Sequence, residues 1–250
     1  MSSSKSIEDL SFEELDRVFS FFRAGQKTGS PAAILVGGWA VYSYNAYFKS
    51  VDIDLLVDRA GETGLVRHLV RHHGYAFRRL DDDGPRKLLK HFEQGVVVVD
   101  FLNPNIVYPF PERSDGMSFS FVRDRYGGTV LRPLGIPVPD RTALLVTKIR
   151  AAWDRSARLR RYKCPDKDYE ERKVIKDYSD IVALIDPEFG GNDIEIDFLD
   201  GILQEYPFLR SVFLDCEVSG AAADKYRKPV DAFRSIVRRL TGQLRKPTGF

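Results

Sequence analysis

Apolar and polar positions between residues 32 and 58 follow a pattern that predicts a strand, a turn, a helix and a second strand. An apolar run stops at Gly37-Gly38, a helix-compatible segment follows, and carboxylates then alternate with aliphatic side chains. Successive side chains on a strand point to opposite faces, so Asp52 and Asp54 are predicted to share one face. The pattern therefore places two neighbouring carboxylates on a strand that is otherwise suited to burial.

These two carboxylates indicate a divalent cation. Negative charges this close repel each other unless a cation lies between them, and hard oxygen ligands suit Mg²⁺ or Mn²⁺. Gly37 and Gly38 have no side chains, so a phosphate could approach their backbone, and the next helix would direct its free N–H groups and positive dipole end at that anion. A metal site beside a phosphate site is the prediction.

Further helices and strands are predicted around this stretch. The patterns favour helices over 12–23 and 63–73 and strands over 75–80, 87–92, 96–102, 117–122 and 129–134. Residues 96–102, VVVVDFL, are apolar except for Asp100. A carboxylate in such a strand is unfavourable unless it is paired or bound to a metal, so Asp100 is a candidate third ligand. The alternative is an acid that simply ends its strand.

A turn-rich region closes at Pro139, and helical patterns dominate afterwards, over 141–155, 169–185, 194–205 and 228–244. The predicted fold class is α/β (α+β), with a mixed sheet flanked by helices and then a helical C-terminal domain. The predicted domains are 1–139, a catalytic core, and 140–250, a helical domain that completes the active-site cleft.

Lys148 lies within the apolar stripe of the first of these later helices, with apolar neighbours one turn away on both sides. A buried lysine needs an anionic partner, and a nucleotide phosphate could supply one. A lysine that snorkels between two domains is the alternative.

Composition is that of a globular chain, with 43% apolar and 30% charged residues. No run approaches the roughly 18 apolar residues that span a bilayer, and the first residues, MSSSKSIEDL, contain no hydrophobic signal core, so we expect a cytoplasmic protein without a membrane partner. Cys164 and Cys216 have no Cys or His at zinc spacing and are expected to be free thiols.

Positive charge is concentrated in two segments, although the net charge is only +2. Residues 141–176 contain twelve Lys or Arg against five Asp or Glu, and residues 221–250 contain eight against two. These segments are candidate contacts for an RNA backbone.

At Gly37, Gly38, Asp52 and Asp54 the sequence resembles the nucleotidyltransferase superfamily of DNA polymerase beta. That family combines a Gly-Gly or Gly-Ser, an Asp-x-Asp and a later carboxylate on a neighbouring strand, which Asp100 would provide. The resemblance is closer to the AbiEii and MenT branch of nucleotidyltransferase-like toxins. The first motif of that branch ends in a basic residue, a serine, one further residue and the Asp-x-Asp, as in residues 49–54, KSVDID.

The same branch has a helical lysine, matched by Lys148, and downstream a Lys-Asp or Arg-Asp with a further Asp three residues on. Lys176-Asp177 and Asp180 match that pattern. Residues 156–172 look longer than the corresponding segment of the family. The choice between Asp177 and Asp180 therefore stays open.

Asp177 is preferred because it lies at the edge of the apolar stripe of its helix, beside Val174 and Ile181. The alternative is a carboxylate on the helix surface that pairs with Lys173 or Lys176.

The resemblance implies a Mg²⁺- or Mn²⁺-dependent nucleotidyltransferase that transfers a nucleoside monophosphate from an NTP. Asp52, Asp54 and Asp100 would hold the metal, with Asp100 also the base for the acceptor. Lys148 would neutralise phosphate charge.

Phosphate placement would fall to Gly37, Gly38 and Ser50. For Ser50, a role as acceptor and a role in shaping the strand entrance stay open.

For the acceptor, the resemblance implies the 3′ end of tRNA, and a toxin with an antitoxin partner. Transfer to a protein hydroxyl or to a small molecule stays open as an alternative. A non-catalytic binding module with the same fold is the alternative from another functional class.

Overall fold

The computed structural model describes residues 5–25, 32–79, 86–126, 130–161 and 166–245. It has the predicted α/β architecture, with a mixed five-stranded sheet, helices beside it and a helical C-terminal part. The chain divides into two compact units, one of residues 1–107 and 118–140, the other of residues 108–117 and 141–250. The segment 108–117 thus belongs with the helical unit, although the sequence placed it in the first domain.

The first unit contains the five-stranded sheet. Its strands are β1 (Ala33–Val36), β2 (Ile53–Val57), β3 (Ala76–Arg79), β4 (Arg86–Phe92) and β5 (Gly95–Leu102). They lie in the order β1-β2-β5-β4-β3, and only the β2–β5 pair is parallel. Two pairs of short strands follow in the chain: β6 (Val107–Pro109) with β7 (Gly116–Ser118), and β8 (Val130–Leu131) with β9 (Ile136–Pro137).

The helices of the first unit are α1 (Ile7–Gly25), α2 (Gly37–Tyr44), α3 (Arg59–His72) and α4 (Ser120–Asp124). The apolar stripe of α1 is buried at the predicted helical spacing, at Leu15, Val18, Phe19 and Phe22. All four residues of β1 are buried, as an unbroken apolar run predicts.

The second unit is built from α5 (Arg141–Arg160), α6 (Lys167–Ile185), α7 (Ile196–Glu205), α8 (Ser211–Glu217), α9 (Gly220–Tyr226) and α10 (Val230–Thr241). Arg150 of α5 holds the segment 108–117 in this unit. Its Nη2 donates to the carbonyl oxygens of Tyr108 and Pro109 at 3.1 and 3.0 Å, and its guanidinium lies 4.6 Å from the ring centre of Phe110. A buried guanidinium needs such partners, so the segment packs with α5 in the second unit.

Several element boundaries differ from the sequence prediction. The helix predicted from residue 12 begins at Ile7, because the amide of Asp9 donates to Ser6 Oγ at 3.2 Å and Ser6 serves as the cap. The strand predicted over 117–122 ends at Ser118 and gives way to α4, since Phe119 and Val122 are both buried at helical spacing. The helices α8 and α9 were not predicted, because each is too short to show a repeating apolar pattern.

Within the described ranges, no helix is long and apolar enough to cross a membrane. Cys216 is a buried free thiol. Cys164 lies outside the described residues.

Candidate functional site

Gly37 connects β1 to α2 and touches a predicted site residue. Its φ of +69° lies in the left-handed region that glycine adopts most easily. A Cβ at this position would lie 1.8 Å from Oδ2 of Asp54, so the Asp54 carboxylate lies directly against the Gly37 backbone. The first turn of α2, which carries the positive end of the helix dipole, therefore begins beside a carboxylate.

Asp54 and Asp100 lie side by side on neighbouring strands. In the parallel β2–β5 pair Asp54 is in register with Asp100, and in the antiparallel β1–β2 pair it is in register with Val36. Neighbouring strands are about 4.8 Å apart, so the two aspartates are adjacent. The structure thus brings together Gly37, Asp54 and Asp100, which come from three separate parts of the sequence.

Lys87 of β4 extends this row by one strand. It is in register with Asp100, and its Nζ lies 2.9 Å from Oδ1 and 3.0 Å from Oδ2 of that carboxylate. Both side chains are 28% exposed, so solvent reaches the pair. Lys87 could not be singled out from the sequence, because only the register of β4 against β5 shows which carboxylate it faces.

Asp52 and Ser50 lie in the segment that leads into β2. The strand begins at Ile53, so Asp52 is in the preceding bend rather than on the strand. Ser50 is only 4% exposed, and its Oγ donates to the backbone oxygen of Asp52 at 3.3 Å. This contact agrees with a role for Ser50 in shaping the strand entrance.

The two adjacent carboxylates at this edge of the sheet are candidate ligands for a metal ion. Among the described residues no group of three His, Cys, Asp or Glu side chains could hold a metal ion. Mg²⁺ commonly uses one or two carboxylates and completes its octahedron with water and substrate phosphates. Asp54 and Asp100 alone could therefore supply only part of the coordination of such an ion.

Lys148 and Asp177 come together inside the second unit. Lys148 is 6% exposed, which confirms the predicted burial. Its Nζ lies 2.7 Å from Oδ2 of Asp180 and 3.4 Å from Oδ1 of Asp177. Both aspartates are buried, so the anionic partners that a buried lysine requires come from α6.

Two further cations complete this cluster. Arg155 forms an ion pair with Asp177, and Lys176 Nζ lies 2.8 Å from Oδ2 of Asp180. Burial favours the neutral form of Asp180, but Lys148 and Lys176 outweigh it and hold the pKa of Asp180 below its ordinary value. Burial lowers the pKa of Lys176, and Asp180 opposes that shift. Asp180 makes the shorter contact with Lys148, so the choice between Asp177 and Asp180 stays open.

Arg155, like Lys87, was not singled out from the sequence. It lies seven residues after Lys148 on α5, which places both cations on one face of the helix. That spacing was the available signal, but only the packing of α6 shows which carboxylates the two cations meet.

Much of the positive charge of residues 141–176 is used inside the unit. Arg141 Nη1 donates to the backbone oxygen of Leu184 at 2.8 Å, and Arg158 pairs with Glu170 at 3.1 Å. Together with Lys148, Arg150, Arg155 and Lys176, these side chains have internal partners. The excess of basic residues in this segment therefore overstates the positive charge that an RNA would meet. Residues 162–165 lie outside the described residues.

The chain matches no protein-family model and no curated protein.

Proposed function

We propose that the protein is a metal-dependent nucleotidyltransferase that transfers a nucleoside monophosphate from an NTP to an acceptor hydroxyl. The observation that carries this proposal is the position of Asp54, which lies against Gly37 on one side and in register with Asp100 on the other. A glycine at the positive end of a helix suits a phosphate, and adjacent carboxylates suit Mg²⁺. The proposed phosphate site and the proposed metal site would thus adjoin each other.

Each residue has a distinct role in the proposed reaction. Asp54 and Asp100 would hold Mg²⁺ or Mn²⁺, and the backbone at Gly37-Gly38 would receive the phosphates. Asp52 lies in the preceding bend, and its part in metal binding stays a prediction. When bound, the metal would supply charge neutralisation for the triphosphate and acidify the acceptor hydroxyl. Asp100 would accept the hydroxyl proton while the acceptor oxygen bonds to the α-phosphorus. The bond from the α-phosphorus to the bridging oxygen breaks, and pyrophosphate leaves.

The 3′-terminal hydroxyl of tRNA is the acceptor that we propose, in the setting of a toxin with an antitoxin partner. The resemblance to the AbiEii and MenT branch supports this choice. Transfer to Ser50 itself is less well supported, because that hydroxyl is buried and donates to Asp52. Lys148 and Asp177 are bound to each other within their own unit, and their roles at the phosphates stay predictions.

Label transfer tests the proposal. Each of four α-labelled NTPs is incubated with Mg²⁺, total tRNA and the wild type or one of three variants: Asp54→Asn, Asp100→Asn and Asp16→Asn. Asp16 is an exposed carboxylate of α1 and serves as the matched control. We expect label on tRNA with the wild type and Asp16→Asn, and none with the other two variants.

Other outcomes change the conclusion in defined ways. Label on the protein alone would move the acceptor to a protein hydroxyl. The absence of label, together with no thermal shift by any NTP with Mg²⁺, would reject the enzymatic proposal and favour a non-catalytic module.

A further inference from the structure

Three charged side chains form a row across adjacent strands on one part of the sheet. Asp54 on β2 is in register with Asp100 on β5, which is in register with Lys87 on β4. Lys87 contacts both oxygens of Asp100, at 2.9 and 3.0 Å. One cation therefore already lies at one end of the carboxylate pair that the proposed function assigns to a metal.

We propose that Lys87 is a built-in counter-ion that competes with the divalent cation for Asp100. This inference rests on the proposed function, because it assumes that Asp54 and Asp100 bind the metal. With Lys87 on Asp100, the site attracts a free divalent cation only weakly. The negative phosphates of a nucleotide would balance the charges of both the Lys87 ammonium and the divalent cation. Metal and nucleotide therefore bind more tightly together than separately.

Exposure and geometry distinguish Lys87 from a lysine with a purely structural role. The Lys87–Asp100 pair is partly solvated, and such pairs contribute little to stability. Replacing the Lys87 ammonium at the Asp100 carboxylate by a divalent cation therefore costs little folding free energy. Lys90 on the same strand provides the contrast. Its Nζ lies 2.8 Å from Oε1 of Glu14, a buried carboxylate, and its odd spacing from Lys87 places it on the other face of β4.

Electrostatics gives the direction of the expected effect. Loss of the Lys87 ammonium removes a positive charge beside the two adjacent carboxylates. The electrostatic potential at the site becomes more negative. A divalent cation then binds more tightly without a nucleotide. If Lys87 were only a structural partner, its loss would leave Asp100 less well held, and metal affinity would stay the same or fall.

The test is binding of Mn²⁺ without nucleotide, followed by the paramagnetic resonance signal of the free ion. The variants are Lys87→Met, the charge-conserving Lys87→Arg, Asp100→Asn and Lys5→Met. Lys5 is an exposed lysine that also pairs with a carboxylate, Glu13, and controls for the loss of one positive charge. We expect Lys87→Met to bind Mn²⁺ about three- to tenfold more tightly than the wild type. Lys87→Arg and Lys5→Met should match the wild type.

A second titration in the presence of a non-hydrolysable NTP analogue measures the coupling. The gain in Mn²⁺ affinity that the analogue gives should be smaller in Lys87→Met than in the wild type. Thermal melting confirms that each variant is folded, and Lys87→Gln replaces Lys87→Met if that variant is not.

The two proposals can fail separately. Unchanged or weaker Mn²⁺ binding by Lys87→Met, with binding lost in Asp100→Asn, would overturn the role of Lys87 and leave the metal site in place. Absence of Mn²⁺ binding by the wild type and by every variant, with and without the analogue, would overturn both.

Discussion

At the scale of single residues, Gly37 is constrained both by its backbone and by a neighbour. Its φ of +69° disfavours any side chain, and the Asp54 carboxylate occupies the space that a Cβ would need. Gly74, which follows α3, has a φ of +70°, but a Cβ there would meet no described atom within 4 Å beyond its chain neighbours. The two glycines therefore separate the cost of the backbone conformation from the cost of displacing Asp54.

Alanine substitutions at these glycines should differ in size and in kind. Gly74→Ala should lower the free energy of unfolding by about 1–2 kcal/mol, the cost of a left-handed residue. Gly37→Ala should cost about 1–3 kcal/mol more, because Asp54 must move, and should weaken Mn²⁺ binding in the presence of an NTP analogue. Urea denaturation and Mn²⁺ titration measure both effects. Equal losses of stability in the two variants, with intact Mn²⁺ binding by Gly37→Ala, would contradict the close contact between Gly37 and Asp54.

Asp154 of α5 is a partly buried acid with an altered pKa. Burial raises the pKa of Asp154 from 3.8 to about 6, although Arg150, Arg158 and Arg155 oppose the shift. Its Oδ2 lies 3.3 Å from Nη2 of Arg150. The desolvation of the ionised carboxylate thus outweighs its attraction to the nearby guanidinium groups.

This shift predicts a pH-dependent contribution to stability. The folded-state pKa lies above the unfolded-state value, so the folded protein binds the proton more tightly. As the pH rises from about 4 to about 6, the wild type should lose up to about 3 kcal/mol of unfolding free energy relative to Asp154→Asn. Urea denaturation of both proteins at several pH values gives this difference. A difference that does not vary with pH would exclude the raised pKa.

At the scale of elements, Ser11 shows how a local motif can be misread. The sequence from Ser11 to Glu14 has the form of a capping box, yet α1 begins at Ile7 and Ser11 lies inside the helix. Its buried hydroxyl donates to the backbone oxygen of Val51 at 2.6 Å and accepts from Trp39 Nε1 at 3.0 Å. Ser11 therefore joins α1 to α2 and to the segment that carries Asp52.

Ser11→Ala should destabilise the first unit. Trp39 Nε1 and the Val51 carbonyl would lose a buried partner, which should cost about 1–3 kcal/mol of unfolding free energy. Ser20→Ala on the exposed side of the same helix is the control, and it should cost at most about 0.5 kcal/mol. Thermal and urea unfolding of both variants measure the two costs. Similar small losses in both would mean that Ser11 does not hold these elements together.

At the scale of the whole molecule, the distribution of charge matters more than its sum. The basic residues of α5 and α6 are largely bound to acids and carbonyl oxygens of their own unit. Arg227 and Arg238, near and within α10, are exposed, and Nη2 of Arg238 also lies 2.6 Å from Oε1 of Glu217. Arg67 and Arg71 on α3 are exposed as well. Among the described residues, Arg227 and Arg238 are candidates for contact with an RNA backbone, because they lie in the basic segment 221–250.

We expect the Arg227–Arg238 pair to contribute to tRNA binding. Replacing both residues with Gln should weaken tRNA binding by about three- to tenfold. The slope of log K for tRNA binding against the logarithm of the salt concentration should become shallower by about 0.7–0.9 per charge removed. The same change at Arg67 and Arg71 controls for the loss of positive charge. Filter binding at several salt concentrations measures the slopes. Identical effects of the two double variants would show attraction by net charge alone, without a preferred surface.

The sequence by itself determined the elements around the site. The strand, the glycine turn, the helix and the next strand from residue 32 to 58 follow from local apolar patterns, because side-chain periodicity depends only on neighbours along the chain. The same local pattern predicted the burial of Lys148, which is confirmed. The mixed α/β class followed from the order of such elements.

Only the tertiary structure decided which charges meet. The register that aligns Asp54, Asp100 and Lys87 arises from the pairing of strands distant in sequence. The partners of Lys148 depend likewise on how α6 packs against α5. Periodicity assigns each side chain to a face of its own element but does not fix its position against another element. Pairing and packing of the whole core select that position, and the charged contacts of both units follow from it.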